Sequence, residues 1–263
     1  MKLKSLRTAL AVGLLAVTSG YVSAAPSFTF TEYGGFTADV PPSIATYSNQ
    51  VLLPSPPNSA GGGTDATPNP VYSTMSWVTG QTPQSSLNLV TTGAAVLPVA
   101  IWTTISTLTH NNVVIPSPTN WGPQDIWGRF IVTDNDGAST VRLDSDDAIT
   151  ISFTETVNAP TCPAPNPQGS TCDDFFSFTA VGLNSLTFTA NDGSNWMADF
   201  RFGNLVSASQ IGDTIYTAEG VSSSLDVQVR LSQISQVPEP GSLALLGLGL
   251  VGLGVARRRQ LKG

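Results

Sequence analysis

His110 is the only histidine in the chain, so any histidine-dependent chemistry has to use it. Serine and aspartate are abundant, but the sequence lacks the Gly-x-Ser-x-Gly turn that presents a nucleophilic serine. His110 comes at the end of a predicted strand, where a ring hydrogen-bonded to nearby backbone is the simplest role. A metal ligand or a catalytic base is the alternative, and the sequence leaves both open.

Four acids offer a second kind of chemistry, because glycoside hydrolysis needs only two facing carboxylates, one with a pKa raised by burial. The candidates are Glu155, Asp173, Asp174 and Glu219. The sequence does not show which of them face each other, and most acids in proteins are simply solvated. We therefore predict that the protein is not an enzyme and has no cofactor, with a secreted hydrolase as the remaining alternative.

Calcium binding is the third possibility, because hard cations require several oxygen ligands. Two acidic loops supply such oxygens, one with Asp134 and Asp136 and the other with Asp144 and Asp146. The EF-hand pattern fails, since no glutamate closes a twelve-residue loop. A hairpin turn, in which Asp136-Gly137 supplies a positive φ, is the interpretation we favour for the first loop.

Cys162 and Cys172 are the only cysteines, and they flank a short proline-rich segment. A zinc site would need more ligands, and the only histidine is distant in sequence. Redox-active thiol pairs are usually closer together. In an oxidising compartment the two cysteines are predicted to form a structural disulfide.

Exposed tryptophans can form a sugar-binding face. Five tryptophans are present, and Trp121 and Trp127 lie in a turn-rich segment. We expect at least one of this pair to be exposed and the others to pack in the core.

Short runs with alternating apolar residues must position these groups. In residues 149–157 every other position is apolar except Glu155, an alternation typical of a half-buried strand, and residues 226–231 repeat the pattern. Asn-Asp-Gly turns at 135–137 and 191–193 separate such runs. The composition predicts an all-β body, a β-sandwich or jelly roll, over residues 25–236.

The two ends differ from this body. Residues 1–24 have a basic start, an apolar stretch and a small-residue cleavage site, which together predict a secretory signal-peptide helix. Between the ends, four arginines oppose seventeen acids, so the body carries a net charge of −13. Such a surface repels phosphate backbones, and we predict no nucleic-acid binding.

Residues 237–263 combine three elements in a fixed order. Pro238-Glu239-Pro240 precedes an apolar run at 242–256, and a basic cluster follows it, formed by Arg257, Arg258 and Arg259. As a helix the run spans about 22 Å, against a hydrocarbon core of about 30 Å, so it predicts a short membrane anchor. Because the arginines stay in the cytoplasm, the body lies outside the inner membrane.

This tail resembles the PEP-CTERM sorting signal of exosortase substrates in its motif, apolar run and terminal arginines. The resemblance implies an exosortase as a partner, cleavage near the motif, and association with exopolysaccharide. It also implies transient anchoring in the inner membrane of a diderm bacterium, followed by transfer to the cell surface or beyond.

The body resembles the THxN family of PEP-CTERM proteins, whose naming motif corresponds to Thr109, His110 and Asn112. Trp77, the acids after Cys172, and residues 216–220 support the likeness, whereas Val113-Val114-Ile115 departs from it. This family has no assigned activity. We therefore predict a non-enzymatic surface or matrix protein, with a carbohydrate- or calcium-binding module as the first alternative.

Overall fold

The computed structural model describes residues 26–41, 43–51, 70–77, 83–115, 119–136, 147–179 and 185–234, together with Gly249. The predicted signal-peptide helix lies outside the described residues, and so does the predicted anchor helix except for Gly249. Among the described residues, no helix is long and apolar enough to span a bilayer.

Fourteen strands make up the described part of the chain. Their bounds are β1 Phe28–Phe36, β2 Ala45–Val51, β3 Val71–Trp77, β4 Ser85–Thr91, β5 Ala94–Val96, β6 Thr103–Asn111, β7 Trp121–Asp134, β8 Asp147–Thr154, β9 Asp174–Thr179, β10 Leu186–Thr189, β11 Asn195–Val206, β12 Ala208–Ile211, β13 Thr214–Thr217 and β14 Ser222–Gln233.

All fourteen strands belong to one sheet, in the order β10-β11-β14-β6-β4-β3-β1-β7-β8-β9-β13-β12, with β2 added beside β3 and β5 beside β1. The named strand pairs are antiparallel. The sheet curls until β12 returns to the neighbourhood of β11 and β14, which gives it the shape of a half-barrel. Register shifts that leave an extra residue in β7, β11 and β6 assist this curl, because a bulge bends its strand.

The alternating pattern accounts for the interior of the curl. In β8, Ile151 and Phe153 are buried while Ser152 between them is exposed, as a period of two requires. One apolar cluster, around Trp77 and Phe153, joins β3, β4 and β6 to β8, β9 and β13. A second cluster, around Phe28, joins β1 and β7 to β11 and β14.

The prediction of an all-β body is confirmed, but the strands form one continuous curled sheet rather than the two facing sheets of a sandwich. The reason is β1, which pairs with β7 along its whole length and with β3 at Phe36. It therefore connects the two halves of the sheet edge to edge. The predicted turn at 191–193 is confirmed between β10 and β11, where Gly193 has a φ of +83°.

A cavity of about 90 Å³ lies between the two apolar clusters. Its walls are largely apolar, and its polar lining residues are Glu32, Ser106 and Arg129. Burial raises the pKa of Glu32 to about 8, and a hydrogen bond with Ser106 partly opposes the rise. The folded protein therefore holds a neutral carboxyl here at pH 7.

The Glu32 carboxyl is expected to make the protein less stable as pH rises. In the unfolded chain it ionises above about pH 4.5, whereas the folded state keeps its proton up to about pH 8. Over this window its contribution lowers the free energy of unfolding by up to about 1.4 kcal/mol per pH unit.

Urea denaturation between pH 5 and 8 measures this effect. Glu32→Gln should remove the contribution, so the variant gains stability relative to the parent as pH rises. Asp213→Asn, at an exposed position, is the control and should follow the parent. A constant difference between Glu32→Gln and the parent across the window would contradict the assignment.

Candidate functional site

Four strands carry polar residues into the same end of the half-barrel. β8 and β13 finish there, β9 begins there, and β6 arrives from the opposite wall of the curl. On each strand every second side chain faces the interior, and at this end of the sheet the residue in the inward position is polar. Glu155 follows Phe153 in this way, Asp174 precedes Phe176, and Glu219 follows Thr217 and Ile215.

These three acids form a compact cluster. One carboxylate oxygen from each of Glu155, Asp174 and Glu219 can be chosen so that all lie within 4.8 Å of one another. The residues are only 4%, 0% and 8% exposed. This end of the curl therefore contains a buried acidic centre rather than a solvated patch.

Hydrogen bonds fix Asp174 at the middle of the cluster. Its Oδ1 accepts the backbone N–H of Thr156 at 2.7 Å, and its Oδ2 accepts Nδ2 of Asn112 at 2.8 Å. By contrast, both carboxylate oxygens of Glu155 and Oε1 of Glu219 are buried without a hydrogen-bond partner. The cluster therefore has an unsatisfied side, which is costly for buried polar atoms.

Asn112 connects the opposite wall to the acids. Its side-chain amide also donates to the Ala218 carbonyl at 3.2 Å and to Glu219 at 3.5 Å. The residue is 4% exposed, and its Oδ1 has no hydrogen-bond partner.

The loop between β8 and β9 covers the site. Cys162 and Cys172 are joined in a disulfide, which confirms the prediction. Within the loop, Asp173 accepts hydrogen bonds from the Gln168 backbone at 2.6 Å and the Ser170 hydroxyl at 2.5 Å. Glu155 and Asp174 stand at the two ends of this segment, directly after the last β8–β9 register pair, Thr154 with Phe175, so the strand pairing brings the two acids together.

The cluster favours protonated carboxyls when nothing else balances its charge. Burial, together with repulsion by Asp174 and Glu219, raises the pKa of Glu155 to about 9. Burial also raises the pKa of Asp174 to about 7, although the Thr156 N–H opposes the rise, and it raises the pKa of Glu219. No basic group is among the causes of these shifts.

His110 lies beneath the cluster, among aromatic rings and beside one hydroxyl. Its ring stacks on Trp77 with centroids 5.4 Å apart and meets Phe176 edge-on at 5.0 Å. Burial lowers the pKa of His110 to about 3, so the ring is neutral. Its Nδ1 lies 3.0 Å from the Thr217 hydroxyl, which donates to the Asp174 carbonyl at 3.4 Å, so we assign the ring proton to Nδ1.

The motif residues singled out in the sequence fall into two groups. His110 and Asn112 are buried and point into the curl, whereas Thr109 is partly exposed, as expected when alternate residues of a strand share a face. Pro238, Glu239 and Pro240 lie outside the described residues, as do Arg257, Arg258 and Arg259.

The first acidic loop has structural contacts. Asp134 accepts the backbone N–H groups of Asp136 at 2.9 Å and Asn191 at 2.8 Å, and Asp136 accepts the Ser27 N–H. These bonds tie the loop to the N-terminal end of β1 and to the β10–β11 turn. Asp144 and Asp146 lie outside the described residues.

The expectation of an exposed tryptophan at Trp121 or Trp127 is wrong, because both are buried. Both belong to β7, which runs through the sheet between β1 and β8, so the turn-rich composition of the segment was misleading. Trp102 is partly exposed instead, with the guanidinium groups of Arg201 and Arg230 over its ring at 4.1 and 4.7 Å.

Sequence reasoning named the acids of the cluster but could not bring them together. The available signal was the alternation itself, since each acid occupies an inward position two residues from a buried residue of its strand, namely Phe153, Phe176 or Thr217. Which strand ends meet depends on pairings between distant segments, and the sequence does not show these.

Fold and site together define a β-rich protein with a buried acidic centre covered by a disulfide-bonded loop. Residues 236–260 match the family described as the PEP-CTERM protein-sorting motif. This motif indicates an exported protein that an exosortase sorts after membrane anchoring. No curated protein matches the chain.

Proposed function

We propose that this chain is a non-enzymatic protein of the cell surface or extracellular matrix, delivered by an exosortase and associated with exopolysaccharide. The observation that carries the proposal is the sorting motif at residues 236–260. Association with polysaccharide is supported by the class of this signal, and the disulfide fits an oxidising destination.

The proposal includes the processing of both ends. A signal peptide is removed after Ala24, the body is residues 25–236, and residues 242–256 hold the chain in the inner membrane until sorting. The charge distribution supports this orientation, because the chain has basic residues before the first apolar run and after the last one.

A non-enzymatic role is supported by burial of the chemically capable groups. His110 is neutral and enclosed by aromatic rings, and the three clustered acids are at most 8% exposed. A polymer in solution would have to reach them through the β8–β9 loop. A hydrolase would instead need its two carboxyls open to the substrate.

We also propose that the body belongs to the THxN family. Residues from separate parts of that likeness converge on one site, namely His110, Asn112, Asp174 and Glu219, beside the aromatic ring of Trp77. A structural role for the motif follows, since the spacing of His110 and Asn112 places both side chains on the inward face of β6 and its continuation.

Replacing Pro238, Glu239 and Pro240 with alanine should leave export intact but block sorting. The variant should accumulate in the inner-membrane fraction with its tail attached, because the apolar run and arginines still hold it there. Cell fractionation and the electrophoretic mobility of the protein measure both effects.

The matched control is Ser235→Ala, which changes the residue just before the matched segment and keeps the motif and the chain length. This control should be sorted like the parent. Unchanged surface localisation and mobility of the motif variant would refute exosortase sorting. For the polysaccharide association, the released parent protein should co-sediment with polymer isolated from the producing strain, and failure to do so would refute it.

A further inference from the structure

We propose that Glu155, Asp174, Glu219 and Asn112 bind one calcium ion between the β8–β9 loop and the β6 wall of the half-barrel. This site is independent of the sorting signal, and its residues differ from the acidic loops around Asp134 and Asp144.

The uncompensated negative charge of the cluster favours a bound cation. The body has no lysine, so only arginines could neutralise three buried acids. Among the described arginines, Arg201 and Arg230 stack on Trp102, and Arg129 lines the central cavity. A buried carboxylate without a counter-charge is strongly unfavourable, so the site requires either bound protons or a cation.

Asn112 adds a potential ligand of a different kind beside the acids. Asn112 is a neutral side chain, 4% exposed, whose amide group already lies against Asp174 and Glu219. Its Oδ1 has no hydrogen-bond partner. A half-turn of the amide places this oxygen where Nδ2 now contacts the acids, and the amide then changes from a hydrogen-bond donor to a metal ligand.

Several oxygen atoms on one side of the cluster lack a hydrogen-bond partner. Both oxygens of Glu155 are buried without a donor, as are Oε1 of Glu219 and the hydroxyl of Thr156. The Ala218 carbonyl lies next to the same amide. These atoms are candidate oxygen ligands beside the three clustered carboxylates, and calcium takes about six to eight oxygens.

The ligand chemistry selects the ion. All the candidate ligands are oxygens, whereas zinc sites generally use cysteine and histidine. Two oxygens on opposite sides of a calcium ion are about 4.8 Å apart, since each bond is about 2.4 Å, and the clustered oxygens lie within 4.8 Å. Magnesium requires shorter bonds, near-ideal octahedral geometry and several waters, which a site closed by a covering loop does not favour.

Calorimetry and thermal melting of the exported, disulfide-bonded protein test the proposal after removal of metal with EDTA. Calcium chloride is added at pH 8 up to 10 mM, with magnesium chloride in a parallel titration. We expect one calcium per chain and a rise in melting temperature of about 5–10 °C at a hundredfold excess over Kd. Magnesium should give a clearly smaller shift.

Glu155→Gln is the decisive variant, because the amide keeps the shape of the side chain and removes its charge. It should lose the calcium-dependent shift, and without calcium it should melt at or above the temperature of the parent. Asp213→Asn at an exposed position, and Asp144→Asn with Asp146→Asn in the second acidic loop, should bind calcium like the parent.

Two results would overturn the site. One is a parent protein without calcium-dependent heat or melting shift, in which case the acids share protons instead. The other is calcium binding that survives Glu155→Gln or is lost in the Asp144/Asp146 variant. If Glu155→Gln fails to fold, the rate at which the Cys162–Cys172 disulfide of the parent is reduced tests the site instead. Calcium should slow this reduction at least several-fold, and an unchanged rate would refute the site.

Discussion

Trp77→Ala is expected to destabilise the protein by about 3–5 kcal/mol, a large part of the stability of an ordinary domain. The side chain is 0% exposed at the centre of the first apolar cluster. Its ring centroid lies 4.9 Å from that of Phe153 and 5.2 Å from that of Trp121, and the ring stacks on one face of His110. Truncation therefore removes packing from both walls of the curl and leaves a cavity below the acidic centre.

Trp102→Ala is the matched control, because it removes the same side chain from a partly exposed position. Its loss should be limited to the stacking on Arg201 and Arg230, about 1 kcal/mol in all. Equilibrium urea denaturation of both variants measures the difference. Equal losses would show that the core is not centred on Trp77.

Replacing Cys162 and Cys172 with alanine should cost about 3 kcal/mol, since the disulfide closes a loop with a sequence separation of 10. Cross-linking so short a loop restricts the unfolded chain, and the bond also orders the segment between Glu155 and Asp174. The double variant should therefore show both a lower free energy of unfolding and at least tenfold weaker calcium binding than the parent.

The two effects are separable by experiment. Ser209→Ala is a useful control. It removes a hydrogen bond that Ser209 accepts from Gln168 of the same loop, and it leaves the disulfide in place. That variant should lose at most about 1 kcal/mol. Unchanged calcium affinity in the cysteine variant would show that the loop covers the acidic centre without positioning it.

The alternation of side chains made the individual strands predictable. Residues 149–157 indicated a strand, and β8 occupies Asp147–Thr154. The turn at 191–193 was equally visible, because Asn-Asp-Gly supplies the backbone freedom that a tight connection needs. Both features depend on neighbouring residues, which a sequence displays directly.

Pairing over long distances was not predictable. β1 finds its full-length partner in β7, about ninety residues later, and no local pattern specifies that choice. The same limitation separated Glu155, Asp174 and Glu219 in the sequence analysis, since their strands meet only in the folded sheet. The burial of Trp127 was not predicted for a related reason. Its segment contains glycine and proline, which suggested a turn, but it forms part of β7 in the middle of the sheet.

The position of β14 limits how far the body can move away from the sorting motif. β14 is an internal strand between β6 and β11, and it ends at Gln233, five residues before Pro238. A fully extended chain of that length reaches only about 18 Å. If the exosortase processes the chain near the motif, as proposed above, it must act close to the folded body once the sheet is complete, so a longer spacer inserted after Gln233 should accelerate processing.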